Sequence, residues 1–421
     1  MNDRRPTRRD VLRLLAWSGL GAATGAWLVA RPATVRRLVD AAGPLDALAA
    51  EGGLVELLKT APEARWWVGV PENTPGAACA ACHEDGVPAA PAGFVHEEGH
   101  VRCLLCAQRC LLAEGEKGRC RARLNLGGKL VSLVYGRPLS VHLDPIEKKP
   151  FYHFLPGAAA YSLATAGCPL RCRFCQNWQI SQADPEDYDV PYVPPARVVA
   201  AAAGREAPVI AFTYNEPTVF AEYMVDIARL ARREGLRSVM VSCGITAEAP
   251  LAELCEVLDA IKIDLKGYDP AFYRNVCGAE LAPVLRSIRQ VATSGTHLEL
   301  VNLVVPTLND SDADLKDLAA WVAGELGPDV PVHFTRFHPD HKLRHLPPTP
   351  VATLERARAI ARDAGLRYAF VGNVPGHPGN HTYCPACGEI VVGRQGFFVT
   401  AYHLDGGRCA HCGEAIAGVW N

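Results

Sequence analysis

Three cysteines in one short segment constrain this chain more than any other feature of its sequence. Cys168, Cys172 and Cys175 stand in the run Gly-Cys-Pro-Leu-Arg-Cys-Arg-Phe-Cys-Gln-Asn-Trp, residues 167–178. Three thiolates on one loop can bind three irons of a [4Fe-4S] cluster, and the fourth iron then stays open to another ligand. An electron-transfer ferredoxin would supply a fourth cysteine, so the spacing predicts a catalytic cluster. The intervening arginines favour thiolate ligands over inert core cysteines.

The remaining cysteines also stand mostly in groups. The chain has 16 cysteines in 421 residues, and short spacings in an enzyme-sized chain predict metal sites before disulfides. The length predicts more than one domain. The formal net charge of −2 gives no reason to expect a nucleic-acid partner.

Near the C-terminus, two Cys-x2-Cys pairs are each followed by glycine and are separated by residues 388–408. This arrangement predicts a zinc-ribbon-like module over residues 380–421 that holds a structural zinc, or a rubredoxin-like iron site. Residues 390–400 and 401–404 are its predicted strands. The predicted metal ligands are Cys384, Cys387, Cys409 and Cys412.

Four further cysteines stand close together within residues 103–120. The glycines between them permit the tight turns that a closed tetrahedral site requires. The group predicts a second metal site, for zinc or for a second iron–sulfur cluster, with a structural role as the simpler interpretation. Its residues are Cys103, Cys106, Cys110 and Cys120.

A haem motif stands between the N-terminus and this group. The run Cys79-Ala-Ala-Cys82-His83 matches the attachment pattern of c-type haem. Single patterns of this kind occur by chance, and the chain has only three methionines to offer as axial ligands. We therefore rank haem c below a plain linker, or below a contribution of the two thiols to the neighbouring metal site.

Strand-like and helical runs alternate from about residue 161 to residue 371, which predicts parallel β/α units. Roughly six units fit an open partial (β/α)6 barrel over residues 156–375 better than a closed eight-fold one. The predicted strands are 161–166, 209–213, 238–242, 260–265, 298–305, 332–337 and 368–371, with one more at 130–135. The predicted helices are 218–234, 251–258, 283–293, 313–326 and 351–364.

Polar side chains stand at the ends of these strands. Active-site residues of β/α barrels gather at the carboxyl ends of the strands, and the first three cysteines follow the first strand. Any one of these side chains alone is as readily a solvated strand end or a buried ion pair. Their coincidence beside three cysteines favours cofactor binding. They are Asn215, Glu216, Ser242, Asp264, Lys266, Asn302, His333 and Arg336.

Several motifs together carry a resemblance to a known family. They are residues 103–120, 144–150 (Asp-Pro-Ile-Glu-Lys-Lys-Pro), 167–178, 213–218 (Thr-Tyr-Asn-Glu-Pro-Thr), 263–266, 305–310 and 333–340. From about residue 103 to the C-terminus, the chain resembles AmmeMemoRadiSam-system radical SAM enzymes, which are similar to pyruvate formate-lyase activating enzymes. That family usually has Thr-Asn-Gly where this chain has Ser242-Cys243-Gly244.

The resemblance implies a partial barrel that binds S-adenosylmethionine (SAM) at the open iron of the cluster. Reductive cleavage of SAM would give a 5′-deoxyadenosyl radical that abstracts hydrogen from an unknown substrate, a small molecule or a protein glycine. A low-potential electron donor is then an expected partner. Asn215 and Glu216 are predicted to contact the SAM amino group, and Asp264 or Lys266 its ribose or carboxylate. The alternative is an exported iron–sulfur protein, with or without haem, that transfers electrons.

The N-terminus predicts targeting to a membrane. Thr-Arg-Arg-Asp-Val-Leu-Arg at residues 7–13 matches a twin-arginine signal, and an uncharged apolar stretch follows it. SAM is a cytoplasmic resource, and no Ala-x-Ala site follows the stretch. Residues 1–30 are therefore predicted to be an uncleaved anchor with the catalytic domain in the cytoplasm, and twin-arginine export to the periplasm is the alternative. Residues 31–100 are a predicted variable linker, and 101–155 a predicted cysteine-rich module.

Overall fold

The computed structural model describes residues 52–70 and 99–421. The predicted signal or anchor and the Cys79-Ala-Ala-Cys82-His83 motif lie outside these residues. Within the two described ranges, no helix combines the length and the apolar character needed to cross a membrane.

A small N-terminal layer precedes the main sheet. It contains helix α1 (Gly52–Leu58), a three-stranded antiparallel sheet of β1 (Trp67–Gly69), β2 (Val101–Cys103) and β3 (Leu111–Leu112), and a hairpin of β4 (Arg123–Leu126) and β5 (Lys129–Ser132). The hairpin turn is Gly127-Gly128, with φ angles of 63° and 71° that glycine adopts without steric cost. The strand predicted over 130–135 is too long, because the chain turns after Ser132.

The centre of the fold is an eight-stranded mixed sheet. Its strands are β6 (Ser140–Pro145), β7 (Ala159–Ala164), β8 (Val209–Phe212), β9 (Arg237–Ser242), β10 (Ala260–Asp264), β11 (His297–Val304), β12 (Val332–Arg336) and β13 (Ala369–Gly372). They lie in the order β13-β12-β11-β10-β9-β8-β7-β6. Strands β7 to β13 are parallel, and β6 is antiparallel to β7.

The seven parallel strands are those predicted from the sequence, with ends that differ by two residues at most. They could be predicted because they are short apolar runs. Every residue of β8, for example, is buried, as expected of a parallel strand covered on both faces. The predicted closure of these strands into a partial barrel stays a prediction.

Helices connect successive parallel strands. They are α2 (Trp178–Ser181), α3 (Pro195–Ala203), α4 (Ala221–Arg233), α5 (Glu248–Val257), α6 (Pro270–Phe272), α7 (Ala282–Thr293), α8 (Asp312–Leu326) and α9 (Val351–Asp363), and a π-helical turn covers Tyr273–Cys277. Helix α3 is absent from the sequence prediction. Its signal was Pro195 in the first helical turn, followed by the buried residues Val198, Val199 and Ala202.

The C-terminal module (residues 380–421) is built of short antiparallel strands. They are β14 (Thr382–Tyr383), β15 (Ile390–Gln395), β16 (Phe398–Tyr402), β17 (Leu404–Asp405) and β18 (Arg408–Cys409). The predicted strand boundary at residues 400 and 401 is wrong. The chain reverses at Gly396-Phe397, where Gly396 has a φ of 61° and can form the tight turn.

Buried contacts join this module to both edges of the main sheet. The fully buried Arg394 donates a hydrogen bond to the Tyr152 carbonyl oxygen (2.6 Å) and lies 3.6 Å from Glu147, which follows β6. Phe370 of β13 belongs to the same buried hydrophobic cluster as Val391 of the module. The module therefore connects the first and last strands of the sheet.

Candidate functional site

The cysteine loop (residues 167–178) follows β7 at the carboxyl end of the parallel strands. Gly167 has a φ of 94°, and a side chain there would collide with the carbonyl oxygen of Cys120, so only glycine fits. The Arg171 N–H donates to the Cys277 carbonyl (2.8 Å), and the Arg173 N–H donates to the Val276 carbonyl (2.9 Å). These hydrogen bonds fix the loop against the π-helical turn.

The three thiols of the loop line one cavity. Its volume is about 510 Å³, within the range of small-molecule sites, roughly 300–1,000 Å³. Cys172 is buried, and Cys168 and Cys175 are half-buried. Burial raises the pKa of the Cys168 thiol well above its ordinary value. A coordinated metal ion deprotonates such a thiol in spite of burial.

Glu216, just after β8, ties two strand ends together in the cavity wall. Its Oε1 accepts hydrogen bonds from the hydroxyls of Thr218 (2.6 Å) and Ser242 (2.8 Å). Its Oε2 accepts from the backbone N–H of Cys243 (2.7 Å). Glu216 is only 2% exposed, so these protein donors, and not water, fix the orientation of its carboxylate. Both Ser242 and Cys243 line the same cavity.

Asn215 has one side-chain atom that makes no hydrogen bond within the described part of the chain. Its Nδ2 donates to the Gly167 carbonyl oxygen (2.9 Å), which joins it to the cysteine loop. Its Oδ1 is buried and has no hydrogen-bond partner among the described residues. A buried polar atom without a partner costs about 1–3 kcal/mol. A ligand N–H or ammonium entering the cavity would satisfy it.

Two lysines and an aspartate form a charged group on β10 and just after it. Asp264 accepts from the ammonium groups of Lys262 and Lys266, the latter at 2.8 Å. Burial by itself would raise the pKa of Asp264, but the two lysines outweigh it and hold the pKa below its ordinary value. Burial also opposes the charge of Lys266, but Asp264 outweighs it and raises the pKa of Lys266. Asp264 and Lys266 are therefore both charged at neutral pH.

Five of the eight predicted cofactor contacts line the cavity: Asn215, Glu216, Ser242, Asp264 and Lys266. The other three do not line it. Asn302 donates to the Leu265 carbonyl (2.9 Å). His333 is buried against Glu299 (2.7 Å), and Arg336 donates to the Thr349 carbonyl (2.8 Å). The positions of these three side chains do not support their predicted contact with a cofactor.

His333 is a polar residue inside a buried strand because it belongs to a hydrogen-bond network centred on Glu299. Its carboxylate accepts hydrogen bonds from the backbone N–H groups of Tyr152 (2.9 Å) and His153 (2.8 Å), as well as contacting His333. Burial would raise the pKa of Glu299, but its two histidine neighbours hold it below the ordinary value. This buried network holds the segment between β6 and β7 in place.

Sequence reasoning missed a second charged group at the cavity. Asp144 accepts from Lys148 (2.7 Å), Lys149 (2.5 Å) and the Tyr214 hydroxyl. Lys148, Lys149 and Tyr214 line the cavity. Burial lowers the pKa of Lys149 to about 8, although Asp144 opposes this. In the sequence, the motif Asp-Pro-Ile-Glu-Lys-Lys-Pro could have indicated this group. The backbone of Tyr214 has a φ of 71°, a conformation that residues other than glycine rarely adopt.

Comparison with known proteins identifies the family. Residues 162–322 match the family model described as the radical SAM superfamily. Over 322 residues the chain is 44% identical to the uncharacterized protein MJ0808 of Methanocaldococcus jannaschii, an alignment that covers 76% of this chain and 96% of that protein. The chain belongs to the radical SAM superfamily.

Other proteins are similar to this chain over shorter stretches. The chain is 22% identical to the pyruvate formate-lyase 1-activating enzyme of Escherichia coli over 223 residues, or 48% of this chain and 89% of that enzyme. The structure of a radical SAM methyltransferase from Sphaerobacter thermophilus aligns at 17% identity with a TM-score of 0.41, covering 52% of this chain and 67% of that chain.

Radical SAM family membership implies a [4Fe-4S] cluster and SAM, and the described residues fit both. Three thiols line one wall of the cavity, and a fourth thiolate for a closed cluster is not needed. The unpaired Oδ1 of Asn215 and the charged groups of Asp264 and Lys266 lie in the same cavity. Their polar and charged atoms fit the chemistry of a ligand that carries an ammonium, a carboxylate and hydroxyl groups, as SAM does.

The two other cysteine groups lie outside this cavity. The sulfurs of Cys384, Cys387, Cys409 and Cys412 all lie within 4.8 Å of one another and could hold a metal ion. The cysteines of residues 103–120 line a separate small cavity together with Pro169 and Arg123. The carbon chemistry of a radical SAM enzyme would take place in the larger cavity, where the cysteine loop is.

Proposed function

We propose that this protein is a radical SAM enzyme of the activating-enzyme type. Cys168, Cys172 and Cys175 would hold a [4Fe-4S] cluster, which would supply the electron that cleaves SAM to methionine and a 5′-deoxyadenosyl radical, and this radical would take a hydrogen atom from the substrate. The observation that carries the proposal is the convergence of three thiols, an unpaired amide oxygen and two charged groups on one cavity.

Each side chain then has a distinct task. Asn215 accepts a hydrogen bond from the SAM ammonium through its Oδ1 and keeps the cysteine loop in position through its Nδ2. Glu216 is a positioning residue that holds the ends of β8 and β9 together. Lys266 and Asp264 offer a cation and a carboxylate for the SAM carboxylate and ribose hydroxyls.

The substrate is proposed to be a small molecule or a protein glycine, which is oxidised to a radical when it loses one hydrogen atom to the 5′-deoxyadenosyl radical. The name of the E. coli relative, an activating enzyme for pyruvate formate-lyase, supports the protein substrate. The motifs in residues 144–150 and 213–218 support a place in the AmmeMemoRadiSam system. A low-potential one-electron donor would be a partner. The comparisons give no support to the alternative of an exported electron-transfer protein.

The test is anaerobic reconstitution with iron, sulfide, dithionite and SAM, followed by measurement of 5′-deoxyadenosine by mass spectrometry. The wild type is expected to form it. Cys172→Ala is expected to form none, whereas Cys255→Ala, which changes a cysteine on α5, is the matched control and is expected to keep wild-type activity. An intact cluster that forms no 5′-deoxyadenosine would refute the proposal.

A further inference from the structure

The cysteines of residues 103–120 form a second, separate thiol site. Cys103, Cys106 and Cys120 are buried and Cys110 is half-buried. All four line one small cavity. A backbone hydrogen bond from Cys103 to the Cys110 carbonyl (2.9 Å) folds the segment back on itself. The backbone N–H of Arg119 donates to the Cys110 sulfur (3.4 Å), a contact that also occurs at iron–sulfur centres.

Sulfur separations distinguish a site for one ion from a site for a cluster. Four thiolates around one zinc, with bonds of about 2.3 Å, place their sulfurs roughly 3.8 Å apart. The C-terminal group has this geometry, since Cys384 and Cys412 are 3.5 Å apart and Cys387 and Cys409 are 3.8 Å apart. In a [4Fe-4S] cluster each thiolate binds a different iron, so the sulfurs lie further from one another.

The cysteines of residues 103–120 are not gathered as closely as those of the C-terminal group. Over residues 52–70 and 99–421, the C-terminal group alone brings three or more ligand atoms within 4.8 Å of one another. Neither the N-terminal group nor the three cysteines of the cysteine loop does so. The four thiols of residues 103–120 are therefore not all as close together as the thiols of the C-terminal group, and the same holds for the thiols of the cysteine loop.

A buried cation faces the same cavity. Arg123 is 1% exposed, lines the cavity with the four cysteines, and pairs with Glu222 through its Nη2 (2.6 Å). Its Nε and Nη1 are buried and have no hydrogen-bond partner in the described part of the chain. Four thiolates around an iron–sulfur core carry net negative charge, and sulfur atoms accept hydrogen bonds from such donors. The unpaired donors of Arg123 are thus a second, independent sign of an anionic ligand.

We propose that Cys103, Cys106, Cys110 and Cys120 bind a second [4Fe-4S] cluster, closed by four thiolates and in contact with the cysteine loop. Such a cluster has no open iron, so it exchanges electrons and does not bind SAM. The loop contact is direct. Pro169 lines the second cavity, and Arg119 donates to the Pro169 carbonyl (3.0 Å). Arg171 of the loop in turn donates to the Arg119 carbonyl (2.6 Å).

The test counts metal in the full chain, purified without oxygen and reconstituted with iron and sulfide. With both clusters and a zinc in the tail, the wild type is expected to hold about eight iron, eight sulfide and one zinc. The triple variant Cys168→Ser, Cys172→Ser, Cys175→Ser is expected to keep about four iron, with the electron paramagnetic resonance signal of a reduced [4Fe-4S] cluster.

Adding Cys110→Ser to the triple variant is expected to remove the remaining iron, whereas adding Cys255→Ser is expected to leave it. A wild type with about four iron overturns the proposal, whether the zinc count is one or two. Iron absent from the triple variant overturns it as well. No SAM cleavage is measured, so these results are independent of the proposed function.

Discussion

His153 makes the attachment of the C-terminal module dependent on pH. The residue is fully buried between the rings of Tyr368 (4.4 Å) and Trp420 (5.1 Å). Its Nδ1 lies 2.6 Å from the Ala417 carbonyl oxygen and must donate to it, and its Nε2 is buried without a partner among the described residues. Burial lowers the pKa of His153 from 6.5 to about 3.

The sign and size of the effect follow from proton binding. Between pH 6.5 and about 3 the unfolded chain binds a proton at His153 that the folded chain does not, so acid favours unfolding. With a pKa of 6.5 in the unfolded chain and about 3 in the folded chain, proton binding at His153 lowers the free energy of unfolding by about 0.2 kcal/mol at pH 7 and by about 2 kcal/mol at pH 5. We therefore expect the free energy of unfolding to fall by about 2 kcal/mol between pH 7 and pH 5 because of His153.

The change in the free energy of unfolding can be measured by urea unfolding of the wild type and of His153→Phe at pH 7 and pH 5. Phenylalanine keeps the ring packing and leaves the Ala417 carbonyl unpaired, at a cost of about 1–3 kcal/mol that is the same at both pH values. The variant should lose about 2 kcal/mol less than the wild type between the two pH values. His345→Gln, at an exposed position, is the control and should follow the wild type. Equal pH dependence in the wild type and His153→Phe would refute the reasoning.

Four further outcomes are expected. Cys172→Ala should abolish SAM cleavage and the iron–sulfur absorbance of the loop cluster, and retention of both would contradict the cluster assignment. Glu216→Gln should keep the cluster but weaken SAM binding about 10- to 100-fold through the lost charge-assisted hydrogen bonds, measured by equilibrium dialysis; unchanged affinity would show that the residue serves the fold alone. Changing the four tail cysteines to serine should remove one zinc and lower the melting temperature while some SAM cleavage remains, and an unaltered melting temperature speaks against a structural metal. Arg8→Lys with Arg9→Lys should move the protein from the membrane to the soluble fraction, and a soluble periplasmic wild type cleaved near residues 30–45 would exclude the anchor.

The parts of the fold that the sequence predicts are those with a local signal. Cysteine spacing is local, and a buried parallel strand such as β8 is a short apolar run with no polar interruption. The segment that follows β8 is local too, so Asn215 and Glu216 could be assigned to the cavity before the fold was known. Helix α3 was missed because its apolar signal is short and made mostly of alanine and valine.

The parts that the sequence does not predict depend on contacts between distant segments. Asp144 and Tyr214 are 70 residues apart, and only the pairing of β6 with β7 and β7 with β8 brings them together. The side chain of His333 is polar, as the other predicted cofactor contacts are. It faces the same side of β12 as Thr335, which lines the cavity, but it is the second residue of the strand and lies at its amino end, where it contacts Glu299.

The hairpin of β15 and β16 connects the four cysteines of the C-terminal module to the cavity. Phe397, at the tip of this hairpin, lines the cavity with Thr335 and Asn373. At the other end of the hairpin, β15 pairs with β14, which directly precedes Cys384. A chain that loses the tail metal would lose part of the wall around its ligand. Thermodynamic linkage is reciprocal, so a ligand that contacts Phe397 must also tighten the hold of the tail on its metal. If the C-terminal cysteines bind a metal, their affinity for it would then depend on whether a ligand occupies the cavity.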